Sequence, residues 1–265
     1  MATFVVNRAV DDVRRSLQYY QVWCYLALDD IFARYRNTML GPLWNAAYIV
    51  AQALALSLVF GGVFHQPLQK LMPFILSGMV GWALGPATIL ECAGLLIWFA
   101  GTVKTQNFPV LFYAFRVVAR AGLMFLHNLV ALVLVLPFFG HMPLINPMII
   151  PALGLMMVMS APFCLLLGML CARFRDIQML VVNFSNVFFL MTPIVWMPSS
   201  VSGARSIAVL TYNPFFYMVD LIRQPLLDAM PTMQDWLVCA GIAGFGWALC
   251  LVMLSAYRAR IAFWV

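Results

Sequence analysis

Charge is what this sequence has least of. Asp, Glu, Lys and Arg make up 9% of its 265 residues, while 65% are hydrophobic. A soluble domain carries roughly 25% charged residues, so an ordinary soluble enzyme is excluded and a chain dissolved in lipid is indicated. Paired cysteines are missing too. Cys24, Cys92, Cys164, Cys171, Cys239 and Cys250 stand singly, and none forms a C-x-x-C pair. Neither a zinc site nor a disulfide framework is indicated, and these side chains read as small buried apolar groups. A phosphate-cradling loop is absent as well. The lysines are Lys70 and Lys104, and neither sits in a G-x-x-x-x-G-K-[ST] loop, so the chain is not expected to hydrolyse ATP alone. His65, His127 and His141 have no partner pattern that would flag Ser-His-Asp catalysis. No catalytic residue or metal ligand is assigned, no bound cofactor is expected, and the chain is not read as an enzyme by itself. Residues 1–9 lack the charged-then-apolar pattern of a cleavable signal peptide.

What is present is a series of long apolar runs. Leu43–Phe64, 72–98, 117–139, 147–170, 178–197 and 236–257 each exceed an ordinary core helix, at about 1.5 Å per residue across about 30 Å of hydrocarbon. The expectation is an all-α membrane protein with six spanning helices. Arg34-Tyr35-Arg36 and Gly41-Pro42 precede the first run, with Trp44 just inside it. Arginines on the water side, a turn and an interfacial ring read as an elbow into the first span. The division drawn is 1–42, a cytoplasmic N-terminal segment, and 43–265, the spanning domain.

Within that N-terminal segment Val10, Val13, Leu17, Tyr20, Cys24, Leu28, Ile31 and Tyr35 recur at steps of three and four, while Asp11, Asp12, Arg14, Arg15, Gln18 and Gln21 fill the other face. That is the period of an amphipathic helix lying in the membrane interface. Six spans put both termini on one side, and all the basic residues but Lys70, Arg205 and Arg223 then fall on that same side. The positive-inside rule makes it the cytoplasm. A net charge of +6 distributed this way is a topology signal and not a nucleic-acid patch.

Three features carry chemistry. The stretch 198–235 holds two apolar segments too short to cross, 207–210 and 215–227, broken at Tyr212-Asn213-Pro214. They read as re-entrant or interfacial helices, with Asp220 and Arg223 spaced to pair on one helical face. Glu91 is the one acid inside an expected span. It reads either as a structural carboxylate paired locally or as the working group of a proton-coupled carrier, with His127 or Arg120. The segment 101–109, followed by 110–120, is too polar for membrane core and reads as a loop or as a short surface helix on which a cytoplasmic partner docks.

In order and spacing, these residues resemble the permease subunit of bacterial ABC exporters of surface polysaccharide, the O-antigen and capsule group of the type-two exporter superfamily. The likeness rests on Arg34-Tyr35-Arg36 with Leu40-Gly41-Pro42-Leu43-Trp44, on Gly81-Trp82 and Glu91, and on Phe108-Pro109 and His127-Asn128. It rests also on Arg173-Phe174-Arg175-Asp176-Ile177, Thr192-Pro193-Ile194-Val195-Trp196, Asn213-Pro214 and Arg223-Gln224-Pro225-Leu226-Leu227. The resemblance implies a homodimer in the bacterial inner membrane, seated on two copies of a separate ATPase that carries ATP and Mg, and a lipid-diphosphate-linked glycan as cargo. It implies an ATPase seat at the N-terminal helix and at Lys104, Thr105, Gln106, Asn107, Phe108 and Pro109, with Arg34, Tyr35 and Arg36. Phe184, Phe188, Phe189 and Trp196, at helical spacing on the fifth span, and Glu91 are candidates for lining the glycan path; packing against lipid or core reads equally well for each ring. Arg34 and Arg36 suit a diphosphate, and equally lipid headgroups or the ATPase. Two other functions stay open: the proton-coupled carrier using Glu91, and a permease of the same fold for a drug or a lipid.

Overall fold

Long apolar runs without charge can satisfy their backbone in lipid only as helices, and helix is what the computed structural model shows throughout. It describes residues 2–141, 146–198 and 210–264; nothing is described of the side chains of 2–8 and 262. Among the described residues, five stretches are long and apolar enough to cross a membrane: Leu43–Phe64, Leu68–Trp98, Leu111–Phe139, Ile149–Arg173 and Met233–Ile261. The chain is an integral membrane protein. Its helices are α1 (Ala2–Gln18), α2 (Tyr20–Tyr35), α3 (Leu43–Phe64), α4 (Leu68–Leu84), α5 (Pro86–Glu91), α6 (Leu95–Trp98), α7 (Ala100–Thr105), α8 (Leu111–Val135), α9 (Ile149–Arg173), α10 (Arg175–Met191), α11 (Pro214–Leu226) and α12 (Met233–Trp264).

Several expected boundaries move, each for a local reason. The second expected span is not one helix. Gly85 leaves helical geometry ahead of Pro86, since a residue before proline is pushed out of the α region. Thr88 Oγ1 donates to the Ala83 carbonyl at 3.0 Å, and Cys92–Gly94 forms a 3-10 turn before α6. The fifth expected span, 178–197, is also corrected. Its helix begins at Arg175 and ends at Met191 after 17 residues, because Thr192 turns extended before Pro193. At about 1.5 Å per residue it covers about 25 Å, short of the hydrocarbon core. Trp196 therefore lies beyond the helix and not on the stripe with Phe184, Phe188 and Phe189; its indole Nε1 donates to the Leu190 carbonyl at 3.1 Å. The third span starts at Leu111 and takes Arg116 and Arg120 into its helix.

The elbow forms as expected, with Gly41 at φ +56° and Pro42 leading into α3. The N-terminal helix is two helices, parted at Tyr19. Much of its apolar stripe faces outward: Val10, Leu17, Tyr20 and Leu28 are exposed, whereas Ile31 is buried, as are Asp12 and Ser16 of the polar face and its flank. Of the two short apolar segments in 198–235, the second is α11. Asn213 caps it by accepting the Phe215 N–H at 3.0 Å, with Pro214 in its first turn. The stretch 207–210, apart from Leu210, lies outside the described residues, as does Arg205.

Helix α9 joins two ends of the molecule. Near its start the Asn146 N–H donates to the Pro225 carbonyl of α11 at 3.0 Å. At its other end the Arg173 guanidinium lies 6.0 Å over the Trp264 ring of α12. The buried side chains fall into two clusters accordingly. One joins α3, α4 and α11; the other joins α1, α6, the start of α8 and the last turns of α12.

Candidate functional site

Asn45 stands in the first turn of α3, and Tyr48, Ile49 and Gln52 follow at three- and four-residue steps on the same face. That face lines a groove of about 430 Å3 closed by Met79 and Trp82 of α4, by Ala87, Leu90 and Glu91 of α5, and by Val182, Ser185, Asn186 and Phe189 of α10. Rings, amides and the hydroxyls of Tyr48 and Ser185 are interspersed along it, and the Trp82 and Phe189 rings meet edge to face at 5.5 Å. A second pocket of about 190 Å3 shares Asn45, Ala83, Ala87 and Glu91 with the groove and adds Arg34, Arg120 and Asn128. Asn45 Nδ2 donates to Asn128 Oδ1 at 3.1 Å where the two meet. Arg120 Nη2 donates to Glu91 Oε1 at 3.0 Å; Glu91 is thus locally paired, with Arg120 and not His127, whose Nδ1 lies 2.8 Å from the Leu123 carbonyl.

This crevice brings Arg34, Glu91 and Phe189 together and leaves other candidates outside. Phe184 lies on the exposed side of α10, 6.3 Å from Phe188, and Phe188 packs on Phe215 of α11 at 5.4 Å. Arg36 is exposed and Tyr35 half-buried, and neither lines either cavity. Lys104 and Thr105 end the six-residue α7. They are exposed together with Gln106 and Asn107, whereas Pro109 is buried. Phe108 stacks on Phe112 at 4.4 Å and meets Tyr19 edge-on at 5.4 Å. The 106–109 segment and the N-terminal helices thus form one continuous surface.

No family model matches the chain. It is 24% identical over 229 residues to the O-antigen export system permease protein RfbA of Myxococcus xanthus, covering 83% of this chain and 88% of that protein. An RfbA of the same description from Klebsiella pneumoniae is 25% identical over 195 residues, covering 72% and 74%. A second from Klebsiella pneumoniae is 22% identical over 206 residues, covering 76% and 78%. The chain is similar to O-antigen export permeases over most of its length. The resemblance drawn from its motifs is borne out.

In this relative of the O-antigen export permeases, the surface formed by α1, α2 and 106–110 is fastened by residues that sequence reasoning missed. Asp12 is fully buried; it accepts the Val110 and Leu111 N–H groups at 3.4 and 3.3 Å and pairs with Arg258 Nε at 3.0 Å. It therefore caps α8 with a carboxylate where the helix dipole is positive. Burial pushes its carboxyl above the usual range, and Arg258 and the two amides pull it back. Arg116 donates through Nε and Nη2 to both oxygens of Asp30, at 2.8 and 2.6 Å, tying α8 to α2. The available signal was small residues, Ala9 and Ser16, at helical spacing around Asp12, which mark a packed face despite its polarity.

Proposed function

We propose that this chain is the membrane-spanning subunit of an ATP-driven exporter that moves a lipid-diphosphate-linked surface polysaccharide, of O-antigen or capsule type, from cytoplasm to periplasm. The observation that carries the reading is the crevice. It is walled by separate helices, lined by rings and amides suited to sliding contact with sugars, and begins beside two arginines suited to phosphate. The likeness to permeases of O-antigen export supports the cargo class, and the alternation of basic residues supports a cytoplasmic placement of both termini. Helix α10 counts as the sixth span, residues 1–42 form the cytoplasmic segment with α1 at the interface, and α11 is the re-entrant helix on the periplasmic side. Energy comes from two copies of a separate ATPase, which bind ATP and Mg; they dock on the surface of α1 and residues 104–109, below a homodimer of this chain. For ATP to do work, docking must favour one state of the crevice over another. A proton-coupled carrier is disfavoured because its one candidate acid, Glu91, is held by Arg120.

A mild-detergent pull-down of the tagged chain, followed by an ATP hydrolysis assay and deletion in the native host, tests the reading. Co-purification of a nucleotide-binding chain that hydrolyses ATP, with lipid-linked glycan accumulating inside the deletion strain, is the expected result. A chain that emerges alone, with transport in vesicles indifferent to ATP, overturns it in favour of the carrier. Normal surface glycan with lost small-molecule efflux overturns it in favour of a drug or lipid permease.

A further inference from the structure

In the pocket beside the groove two guanidiniums face a single carboxylate. Arg34, Arg120 and Glu91 line it, and no other charged residue does, so one positive charge is left uncompensated. Its depth is set by α3. Those 22 residues cover about 33 Å, close to the thickness of the hydrocarbon core, so the first turn of α3 marks one face of that core. Asn45, in that turn, lines the pocket. The uncompensated charge therefore sits at the level of lipid phosphates. From there the groove climbs past Tyr48 and Gln52, about 10 Å along α3, lined by Asn186, Ser185, Trp82 and Phe189.

We propose that Arg34 and Arg120 bind the phosphate end of the exported lipid and that Glu91 is a built-in competitor for the same guanidinium. Without cargo Glu91 holds Arg120; the arriving phosphate takes Arg120 from it. The exchange is inexpensive on the carboxylate's side, because the Glu91 side chain is 45% exposed and water can take it over, while Arg120, 17% exposed, passes from one anion to another. A diphosphate brings more charge than a carboxylate and matches the planar donor fork of arginine. The released Glu91 still lines the groove, so freeing it alters the wall along which the first sugars lie. This inference takes the lipid nature of the cargo from the proposed function and adds the residues that receive it; Arg36, outside the pocket, has no part.

The test is binding of farnesyl diphosphate to the full chain in nanodiscs of neutral phosphatidylcholine, with or without added phosphatidylglycerol. Arg120→Ala and Arg34→Ala are each expected to weaken binding about tenfold or more, the scale of a lost charge-assisted hydrogen bond. Glu91→Gln is expected to tighten binding about threefold or more, a gain that misfolding cannot imitate, and farnesyl monophosphate to bind more weakly than the diphosphate. Unchanged or weaker binding in Glu91→Gln overturns the competitor role. Indifference to both arginines overturns the site, and loss of binding on adding phosphatidylglycerol reassigns it to bulk headgroups. If the diphosphate does not bind while deletion still traps glycan inside the cell, the pocket assignment falls and the exporter reading survives.

Discussion

The two ends of the molecule hold their buried ion pairs differently. At the α11 end both partners are buried, the Arg223 guanidinium and the Asp220 carboxylate. Arg223 is 1% exposed, lies 4.0 Å over the Phe74 ring, and donates to the Pro193 carbonyl at 2.7 Å and to Asp220 at 3.4 Å. Asp220 is shared with Gln224 at 3.0 Å. Gly78 of α4 leaves no room for a β-carbon against that guanidinium. At the end that carries α1 the buried ion is an anion, Asp12, and its partner Arg258 is 29% exposed. A sealed pair has nowhere to go, because any displacement strands charge in an apolar core. An anion whose partner reaches water can trade that partner for water. The α11 end is built to stay, the α1 end to adjust, which suits the docking role proposed for that surface.

The largest effect expected is at the sealed end. Arg223→Met leaves Asp220 buried without its cation and costs about 3–5 kcal/mol, read as loss of the monodisperse fraction on size exclusion and a lower midpoint of thermal unfolding. Gly78→Ala drives a methyl into the guanidinium and costs about 1–3 kcal/mol; a midpoint equal to wild type would show that this end has slack after all. Asp12→Ala strips two helix N–H groups and Arg258 of their acceptor and costs about 1–3 kcal/mol. Its further signature is faster hydrogen exchange in α1 and at 106–112 with α11 unchanged. Equal exchange at both ends in the wild-type protein would erase the contrast. Asp30→Asn, at a partly exposed pair, costs about 1 kcal/mol or less. The smallest effect is on pH. Burial raises the Asp12 carboxyl, so protonation favours the folded chain; this contribution is fully present below about pH 4 and is lost as pH rises through the raised value. Asp12→Asn should flatten that part of the midpoint-against-pH curve.

Much of this architecture was legible. Uncharged runs marked the spans, Gly41-Pro42 marked the elbow, and the three-residue spacing of Asp220 and Arg223 anticipated their pair at 3.4 Å. The Gly85-Pro86 and Thr192-Pro193 steps were equally visible, and their backbone consequences outrank an apolar run that continues past them. The period of the N-terminal helices was legible, whereas the packed residues on their polar face were not. A hydrophobic stripe turns inward only when water is outside; here Val10 and Leu17 face outward while Asp12 is packed. The crevice could be read only in part: Arg34, Glu91 and Phe189 were candidates, but Asn45 and Trp82 come from distant segments that only tertiary packing brings to the same wall.

Taken as the sixth span proposed above, α10 is short enough to act on the bilayer itself. Its 17 residues fall about 5 Å short of a hydrocarbon layer of about 30 Å. Lipid meets such a mismatch by thinning locally rather than by exposing its tails. Because α10 forms one wall of the groove, the thinned sector of membrane is the one that borders it, and there a polar headgroup has the shortest stretch of oil to pass.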